Sequence, residues 1–484
     1  MRRRIFLGKA TLAGGLAALS LPRTKARSQN AGANDQVRIG LIGCRVRGPQ
    51  LVSDLNRHAE GARVVAACDA DERLSAGFAS NHEGVAMIDD YRRMLERDDI
   101  DAVIIATPNH THATIGTAAC AAGKDVYVEK PVSNNIHEGR ALVEAAKRHN
   151  RIVQAGLQNR SDAGIDAARD YFQSGALGKL LAAHCFWFNR RAPIGKVDRP
   201  TPVDPEINYD LFQGPRPLVP VMREQFHYDW HWFWATGSGE FGNVGVHNLD
   251  HTLHILGIRD HATAVRCVGG RLLWDDDGET PNTQLASFRF PGLDVPLTCE
   301  VRDLPMSPER DDVQSRFRNR TAGTFLICEN GALFFNRGGG HAEDSEGNVI
   351  ERFRGDGGGT HVANWIEAIR SRDTSSLRCD VDQGHYSSAA CHMANISLRS
   401  GIRAFDADSL EAEAPAGIAD QTEAWESFLE HCRVHPIDYA KTPLSLGSTL
   451  VFDPASERFD ESSPEGVMAN YLLSDTYREP FTLA

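Results

Sequence analysis

The sequence predicts an α/β protein in which a doubly wound parallel sheet precedes an α+β domain with a large, mainly antiparallel sheet. From Val37 onwards, short β-branched runs alternate with longer amphipathic segments, which is typical of a parallel sheet covered by helices. Near residue 160 the pattern changes to β-rich runs separated by turns. The length of 484 residues also exceeds what one hydrophobic core usually serves.

The first domain is predicted over residues 35–156. Its predicted strands are VRIGLI, VVAAC, AVIIAT and VYVEK, and its predicted helices are Pro49 to His58, Asp71 to Ser80 and Thr111 to Ala122. In such sheets ligands bind at the carboxyl ends of the strands. A second domain is predicted over residues 157–405, with late helices at 361–372 and 385–399, and a C-terminal extension over residues 406–484.

Residues 1–30 are typical of an export signal. Three arginines, Arg2 to Arg4, precede a short apolar stretch rich in Gly and Ala, and a polar basic segment follows. Arg3 and Arg4, followed by Ile-Phe-Leu, resemble a twin-arginine signal, and the apolar stretch is short for a membrane span. We therefore expect a periplasmic or otherwise exported protein without a stable membrane span after signal removal. An uncleaved anchor helix is the alternative.

Charge and cysteine content restrict the partners and the redox state. The formal net charge is −13, and loss of the seven basic residues of the predicted signal would take it to −20. Such an acidic body argues against nucleic acid and anionic membranes as partners. None of the ten cysteines is in CxxC spacing, and Cys68, Cys267, Cys299 and Cys328 lie in apolar strand-like runs. We expect buried, reduced thiols.

The turn after the first strand is the first candidate site. Glycines are expected there, because they let backbone amides and a helix N-terminus approach a pyrophosphate. The segment Gly40-Leu-Ile-Gly43-Cys-Arg45-Val-Arg-Gly48 keeps the first and third glycines of GxGxxG at Gly43 and Gly48 and has Arg45 at the middle position. A side chain there either crowds a dinucleotide or, being cationic, pairs with its phosphates. A plain strand-to-helix turn is the alternative.

A carboxylate follows at the end of the second strand. Asp69 lies 21 residues beyond Gly48, where a carboxylate can accept both hydroxyls of an adenosine ribose. An acidic residue there favours NAD over NADP. The alternative is a cap for the helix that begins near Asp71.

The most specific local pattern is the segment DVYVEKPVS (residues 125–133), which ends an apolar strand with Glu129, Lys130 and Pro131 in succession. A fourth strand precedes it and runs into ATPNHTH (residues 106–112). Together with the glycine turn and Asp69, this order of parts resembles the Gfo/Idh/MocA oxidoreductase family over nearly the whole chain after residue 35.

The resemblance implies a Rossmann-like NAD-binding domain and a C-terminal domain whose broad sheet face joins subunits, so we expect a homo-oligomer. It also implies that Thr107, Asn109 and His112 line the cofactor groove and that Glu129 approaches the nicotinamide or its ribose. His110 and His112 could instead cap a helix or bind a metal. No third ligand with metal spacing accompanies them, so no metal site is predicted.

Lys130 is the predicted catalytic centre. Oxidation of a secondary alcohol removes a hydride from carbon and a proton from oxygen, so a base or cationic donor must face the nicotinamide. A lysine partly withdrawn from water has a lowered pKa and can stabilise charge that develops on oxygen. We expect Lys130 to share this task with His247. A solvated lysine at a strand end is the alternative.

A second catalytic element is predicted in GSGEFGNVGVHNLDHTLHILG (residues 237–257), where glycine-rich backbone gives way to a helix. Asn243, His247 and Asp250 fall at i, i+4 and i+7 on one helix face. The family often has aspartate at the first of these positions, so the resemblance implies that His247 is catalytic and that Asn243 orients it without a negative charge. A structural histidine is the alternative.

Substrate contacts are predicted at Gln158, Arg160 and Asp250. Gln158 and Arg160 follow a strand that ends at Gly156 and should lie at the cleft, although a surface arginine is equally compatible with the pattern. The aromatic run FHYDWHWFW (residues 226–234) either stacks on sugar rings or fills the space between domains.

The leading functional hypothesis is an NAD-dependent oxidoreductase that acts on a secondary alcohol of a sugar, a sugar derivative or a cyclic polyol. The first alternative is a glycosidase that oxidises its substrate transiently with bound NAD, eliminates, and returns the hydride. The second alternative is a non-catalytic sugar-binding homologue, because Arg45 and Asn243 both depart from the family pattern.

Overall fold

The computed structural model describes residues 36–401, 403–413 and 415–483, and the predicted signal over residues 1–30 lies outside them. The first sheet contains six parallel strands in the order β3-β2-β1-β4-β5-β6. The strands are β1 (Val37–Ile42), β2 (Ala62–Cys68), β3 (Ala86–Ile88), β4 (Ala102–Ile105), β5 (Asp125–Glu129) and β6 (Val153–Gly156). The helices between them are α1 (Arg47–His58), α2 (Glu72–Ser80), α3 (Tyr91–Leu95), α4 (Asn109–Ala121) and α5 (Ile136–Arg148).

The strand order decides where a ligand can bind. Because the order reverses between β1 and β4, the connections after these two strands diverge and leave a crevice at their carboxyl ends. All four residues of β4 and all five of β5 are buried, as expected for strands covered on both faces. The short β3 and α3 were not predicted, because neither has an apolar run long enough to show a period.

The second sheet is mixed and mainly antiparallel, with 12 strands in the described part of the chain. Its order is β16-β15-β14-β13-β7-β10-β9-β8-β18-β17, with β19 beside β8 and β20 beside β19. Its strands are β7 (Leu180–Phe188), β8 (Ala264–Gly270), β9 (Thr283–Arg289), β10 (Leu297–Arg302), β13 (Ala322–Cys328), β14 (Gly331–Asn336), β15 (Gly339–Asp344), β16 (Val349–Arg354), β17 (Arg403–Phe405), β18 (Leu444–Leu446), β19 (Leu450–Asp453) and β20 (Arg458–Phe459). A separate hairpin joins β11 (Pro305–Ser307) and β12 (Arg310–Gln314). The two sheets confirm the predicted fold class.

Eight further α-helices follow β6 in the described part of the chain. They are α6 (Ala163–Gln173), α7 (Tyr209–Gln213), α8 (Val246–Leu256), α9 (His361–Ser371), α10 (Val381–Ser400), α11 (Ala407–Glu413), α12 (Thr422–Val434) and α13 (Pro464–Tyr471). Helix α9 returns to the first sheet, where Trp365 is fully buried and packs edge-on against Tyr127 of β5. Ala424 of helix α12 belongs to the same hydrophobic cluster as Phe186 of β7 and Phe325 of β13.

The cysteines and the helices of the described residues bear on the redox state and on helix length. All ten cysteines are buried and unpaired, which confirms the expectation of reduced thiols. Within the described ranges, none of the helices combines the length and the apolar character that a membrane span requires.

Candidate active site

A cavity of about 460 Å³ lies at the carboxyl ends of β1, β2, β4 and β5 and extends to residues of the second sheet and of α8. Among the residues that line it, those predicted as site residues are Gly43, Arg45, Asp69, Thr107, Asn109, His112, Glu129, Lys130, Gln158, Asn243 and His247. Gly40, Gly48, Arg160 and Asp250 do not line it. The structure therefore brings most of the candidate residues together around one space.

The glycine turn after β1 requires glycine for steric reasons. Gly43 has φ +98°, and a Cβ there would lie 2.5 Å from the Ala106 carbonyl oxygen at the end of β4. A Cβ on Gly48 would lie 2.0 Å from the Gly43 carbonyl oxygen, and one on Gly40 would lie 2.5 Å from the Met94 sulfur. Gly40 and Gly48 thus permit close packing, whereas Gly43 exposes backbone to the cavity.

The N-terminus of α1 faces this turn without a competing partner. Helix α1 has no side-chain cap and no acidic residue in its first turn. The exposed Arg45 lines the cavity and makes no hydrogen bond or ion pair with the residues that the structure describes. The open volume beside Arg45 and the uncapped terminus of α1 are suited to binding an anion. They favour pairing of Arg45 with a phosphate over steric crowding by its side chain.

Asp69 is held with both oxygens in use. Its Oδ2 accepts a hydrogen bond from the Cys44 amide at 2.7 Å, and its Oδ1 accepts one from the Asp71 amide at 3.0 Å. A carboxylate offers about four acceptor positions, so Asp69 can still accept bonds from a ligand. Burial raises the pKa of Asp69. The cap of α2 is Asp71, whose side chain accepts from the Arg73 amide, so the capping role considered for Asp69 belongs to Asp71.

Three predicted groove residues link the end of β4 to its surroundings. The Thr107 hydroxyl accepts a hydrogen bond from Thr111 at 2.8 Å, and the Asn109 amide donates to Ser238 at 3.2 Å. His112 lies between the carbonyl oxygens of Pro131 and Thr107, with one ring nitrogen 2.7 Å from each. These contacts fix the cavity wall next to Lys130.

Lys130 lies half-buried at the cavity and is anchored by one hydrogen bond. Its Nζ donates to the backbone carbonyl of Asn243 at 2.6 Å. Burial lowers the pKa of Lys130, and the neighbouring Glu129 opposes this shift. The position combines partial removal from water with an opening to the cavity, which is the environment expected of a lysine that exchanges a proton.

Glu129 is buried and already paired. Its Oε1 accepts from Arg47 Nε at 2.7 Å and from the Gln158 amide at 3.0 Å. Burial alone would raise the pKa of Glu129, but Arg47 and Lys130 hold it below its usual range. Glu129 therefore supplies a fixed negative charge beside Lys130, and Gln158 borders the cavity with its amide directed at Tyr127 and Glu129.

His247 borders the same cavity and makes no hydrogen bond to the described residues. Burial and then the charge of Lys130 lower its pKa well below the usual value, so the imidazole is neutral at physiological pH. The Asn243 amide donates to Glu240 at 2.9 Å, a partner other than the histidine that it was expected to orient. The reason is local, because residues 241–245 form a π-helical turn, which breaks the i to i+4 relation of an α-helix.

Arg160 and Asp250 differ from the expectation of substrate contact. Arg160 Nε lies 2.9 Å from Asp250 Oδ1, and the exposed fractions of the two side chains are 3% and 0%. Ser387 also donates to Asp250 at 2.7 Å. A guanidinium and a carboxylate buried this deeply are stable only as a pair, so both belong to the core between the short 3-10 helix Gln158–Ser161 and α8.

His110 and His112 both contact backbone carbonyl oxygens. His110 lies between the carbonyl oxygens of Thr236 and Phe212, and His112 between those of Pro131 and Thr107. Elsewhere in the described chain, His261, His385 and Glu457 form a group with metal-like spacing. Arg140 donates to the same Glu457 oxygen as both histidines, which makes this group an ion-pair cluster within the fold.

Sequence reasoning missed several cavity residues. Trp187 comes from β7 and Arg337 from the turn between β14 and β15, and neither has a local signal because both reach the cavity only through the tertiary fold. The aromatic run of residues 226–234, for which the sequence left two roles open, contributes His227, Tyr228, Trp230 and His231 to the cavity lining. The rings of Trp230 and His231 are stacked with centroids 3.6 Å apart.

Comparison with known proteins supports the family. Residues 37–157 match the Gfo/Idh/MocA model described as an oxidoreductase family with an NAD-binding Rossmann fold. Residues 182–269 match the model of the same family described as a C-terminal alpha/beta domain. The two matches support a place for this chain in the Gfo/Idh/MocA oxidoreductase family.

Curated relatives resemble about a third of this chain. The chain is 33% identical over 164 residues to inositol 2-dehydrogenase 4 of Saccharopolyspora erythraea, which is 34% of this chain and 48% of the relative. It is 33% identical over 153 residues to inositol 2-dehydrogenase of Ralstonia nicotianae, which is 31% of this chain and 45% of the relative. The chain thus spans about half the length of the curated relatives it matches.

Solved structures share the fold over both sheets. The WlbA dehydrogenase from Bordetella pertussis in complex with NADH and UDP-GlcNAcA has a TM-score of 0.55 at 17% identity and covers 74% of this chain and 97% of its own. Levoglucosan dehydrogenase in complex with NADH has a TM-score of 0.54 at 19% identity, with the same coverage of 74% and 97%. At these identities the similarity shows a common fold.

Proposed function

We propose that the protein is an NAD-dependent oxidoreductase that transfers a hydride between a nicotinamide cofactor and a secondary alcohol of a sugar, a sugar derivative or a cyclic polyol. The observation that carries the proposal is that Lys130 and His247 line the same cavity as the Gly43 turn and Asp69. The names of the relatives, inositol 2-dehydrogenase and levoglucosan dehydrogenase, support a polyol or sugar as substrate.

The residues present fit NAD. The Gly43 backbone, the uncapped N-terminus of α1 and the unpaired Arg45 are suited to a pyrophosphate. Asp69 has acceptor capacity for ribose hydroxyls, and its negative charge would repel the additional phosphate of NADP. NAD, when bound, accepts the hydride of the alcohol carbon.

The side chains of this protein would manage the proton and orient the alcohol. The Lys130 amine, with its pKa lowered by burial, accepts the hydroxyl proton in the oxidation direction, and the ammonium returns it in reduction. The neutral His247 is a hydrogen-bond partner for the same oxygen. Glu129, held by Arg47, keeps a negative charge beside the ammonium and limits how far the pKa falls.

Export and assembly stay predictions. A twin-arginine signal would place the enzyme outside the cytoplasm, where a tightly held and recycled cofactor suits a compartment without a free NAD pool. A homo-oligomer is expected from the family resemblance.

The proposal is tested with purified protein, NAD and a set of polyols and sugars that includes myo-inositol. We expect NADH to form, measured by absorbance at the nicotinamide band, with at least one of these compounds. Asp69→Ala should weaken NAD binding about 10- to 100-fold, because two charge-assisted hydrogen bonds are lost. Asp89→Ala, which removes a carboxylate of an exposed ion pair with Arg93, is the matched control and should bind NAD normally.

Two outcomes would contradict the proposal. Wild-type protein that binds neither NAD nor NADH would indicate a non-catalytic homologue. Cleavage of a glycoside without net NADH formation would indicate the glycosidase alternative, in which the hydride returns to the product.

A further inference from the structure

Arg337 is a cation that lines the cavity and has no role in the proposed hydride and proton transfer. It lies in the turn between β14 and β15 and borders the same cavity as Lys130 and His247. Its Nε donates to the Gly357 carbonyl at 3.1 Å, and its terminal nitrogens make no hydrogen bond or ion pair within the described residues. The guanidinium is therefore anchored at one nitrogen and free at the other two.

A buried carboxylate, Asp162, binds the backbone at both ends of the hydrogen bond between Arg337 and Gly357. Asp162 is fully buried, and its Oδ2 accepts from the amide of Gly338 at 2.7 Å and from the amide of Gly357 at 3.0 Å. Gly338 follows Arg337 in the chain, and Gly357 is its hydrogen-bond partner. One aspartate thus fixes the backbone on both sides of the guanidinium.

Close packing fixes the two backbone segments next to Arg337. Gly358 has φ +76°, and a Cβ there would lie 1.9 Å from the carbonyl oxygen of Gln158. Gly339 has φ +115°, and a Cβ there would lie 2.0 Å from the Phe353 carbonyl oxygen. The segment of Gly357 and Gly358, which accepts the hydrogen bond of Arg337, is therefore packed beside Gln158, and the turn of Arg337 is packed against β16. The arginine is presented by this packed backbone.

The charged residues of the cavity differ in their positions and in whether they are paired. Arg47 is neutralised by Glu129, while Arg45 and Asp69 belong to the nucleotide end after β1 and β2. Lys130 and Arg337 line the cavity together with His247, and both, like Arg47, are among the charges that lower the pKa of that histidine. A neutral polyol offers nothing to pair with a second cation there, whereas a carboxylate or phosphate matches the guanidinium fork.

We propose that Arg337 is a specificity-determining residue that binds an anionic group, a carboxylate or a phosphate, on the carbohydrate substrate. The inference rests on the proposed function, which places the reacting alcohol beside Lys130. The substrate class is then an acidic or phosphorylated sugar or polyol, with its charged group on the side of the ring that faces the second sheet.

The test uses NADH-loaded protein and calorimetric titration with D-glucuronate, D-glucose 6-phosphate and D-glucose. Wild type should bind at least one of the two anions at least 10-fold more tightly than glucose, and the preferred anion identifies the group recognised. Arg337→Gln should weaken binding of that anion about 10- to 100-fold and leave glucose and NADH unaffected. Arg352→Gln on the exposed strand β16 is the matched control and should bind as wild type.

Each other result overturns the inference. Anions that bind wild type no more tightly than glucose would exclude an anion site. A loss of glucose and anion binding together in Arg337→Gln would assign a general structural role, and a changed affinity for NADH would assign Arg337 to the cofactor. Failure of wild type to take up NADH would appear before any sugar is added, and would refute the proposed function itself.

Discussion

Replacement of Lys130 by methionine gives the sharpest test of the site. Methionine keeps the length and apolar stem of the side chain but removes the group that exchanges a proton. Loss of a positioned acid or base typically slows a reaction about 10²- to 10⁴-fold, so we expect a decrease of that size in the rate of NADH formation. The Nζ bond to the Asn243 carbonyl is also lost, which costs about 1–3 kcal/mol of folding stability if that oxygen stays unpaired.

A second lysine separates catalysis from stability. Lys124 is 8% exposed, donates to the carbonyl oxygens of Arg97 and Ile100 at 2.7 and 3.0 Å, and does not line the cavity. Lys124→Met should cost at least as much stability as Lys130→Met and leave turnover unchanged. The two variants are compared by single-turnover NADH formation and by urea unfolding.

The pH dependence adds an independent readout. Burial lowers the pKa of Lys130 below 10.5, so the oxidation rate of wild type should rise with pH until that pKa is passed and then level off. His247 cannot produce this rise, because its pKa lies well below 6.5. The rise should be absent in Lys130→Met. A variant that keeps its rate within 10-fold of wild type, or keeps the pH-dependent rise, would remove Lys130 from the mechanism.

Two further predictions concern backbone and charge. Gly43→Ala should weaken NADH binding at least 10-fold in a fluorescence titration, because its Cβ would lie 2.5 Å from the Ala106 carbonyl oxygen. The control is Gly84→Ala: Gly84 has a similar φ of +79°, but a Cβ there would meet open space, so this variant should bind NADH normally. Glu457→Gln should lose about 3–5 kcal/mol at pH 7 in urea unfolding, because Arg140 and two histidines hold the pKa of Glu457 far below 4.5 against the effect of burial. Because the pKa of Glu457 is lowered in the folded protein, its contribution to the free energy of unfolding is complete above pH 4.5 and decreases as the pH falls further. The difference in unfolding free energy between wild type and Glu457→Gln should therefore be smaller at pH 4 than at pH 7. An equal difference at the two pH values would refute this role.

The first domain was predictable because its signals are local. Each parallel strand except the short β3 is marked by its own apolar run, and the residues that follow these runs, such as Gly43, Asp69 and Lys130, must meet at one edge of the sheet. The predicted helix over 49–58 is observed as Arg47–His58, and that over 111–122 as Asn109–Ala121. The candidate cavity is largely a consequence of this strand order.

The sequence could not decide which polar residues turn towards the cavity. Arg160 follows a strand end as Gln158 does, yet it is buried with Asp250, 90 residues away, because a core carboxylate requires a cation. Asn243 has helical spacing to His247, but a π-helical turn directs its amide to Glu240.

By itself the sequence determined most of the alternation of strands and helices in the first domain, with the glycine turn after β1 and Lys130 at the end of β5, because hydrophobic periodicity and glycine sterics act over a few residues. Only the tertiary structure placed Arg337 and Trp187 at the cavity, where the second sheet meets the first. Such contacts join residues that are distant in the chain and depend on side-chain packing and the pairing of buried charges, which leave no periodic pattern in the chain.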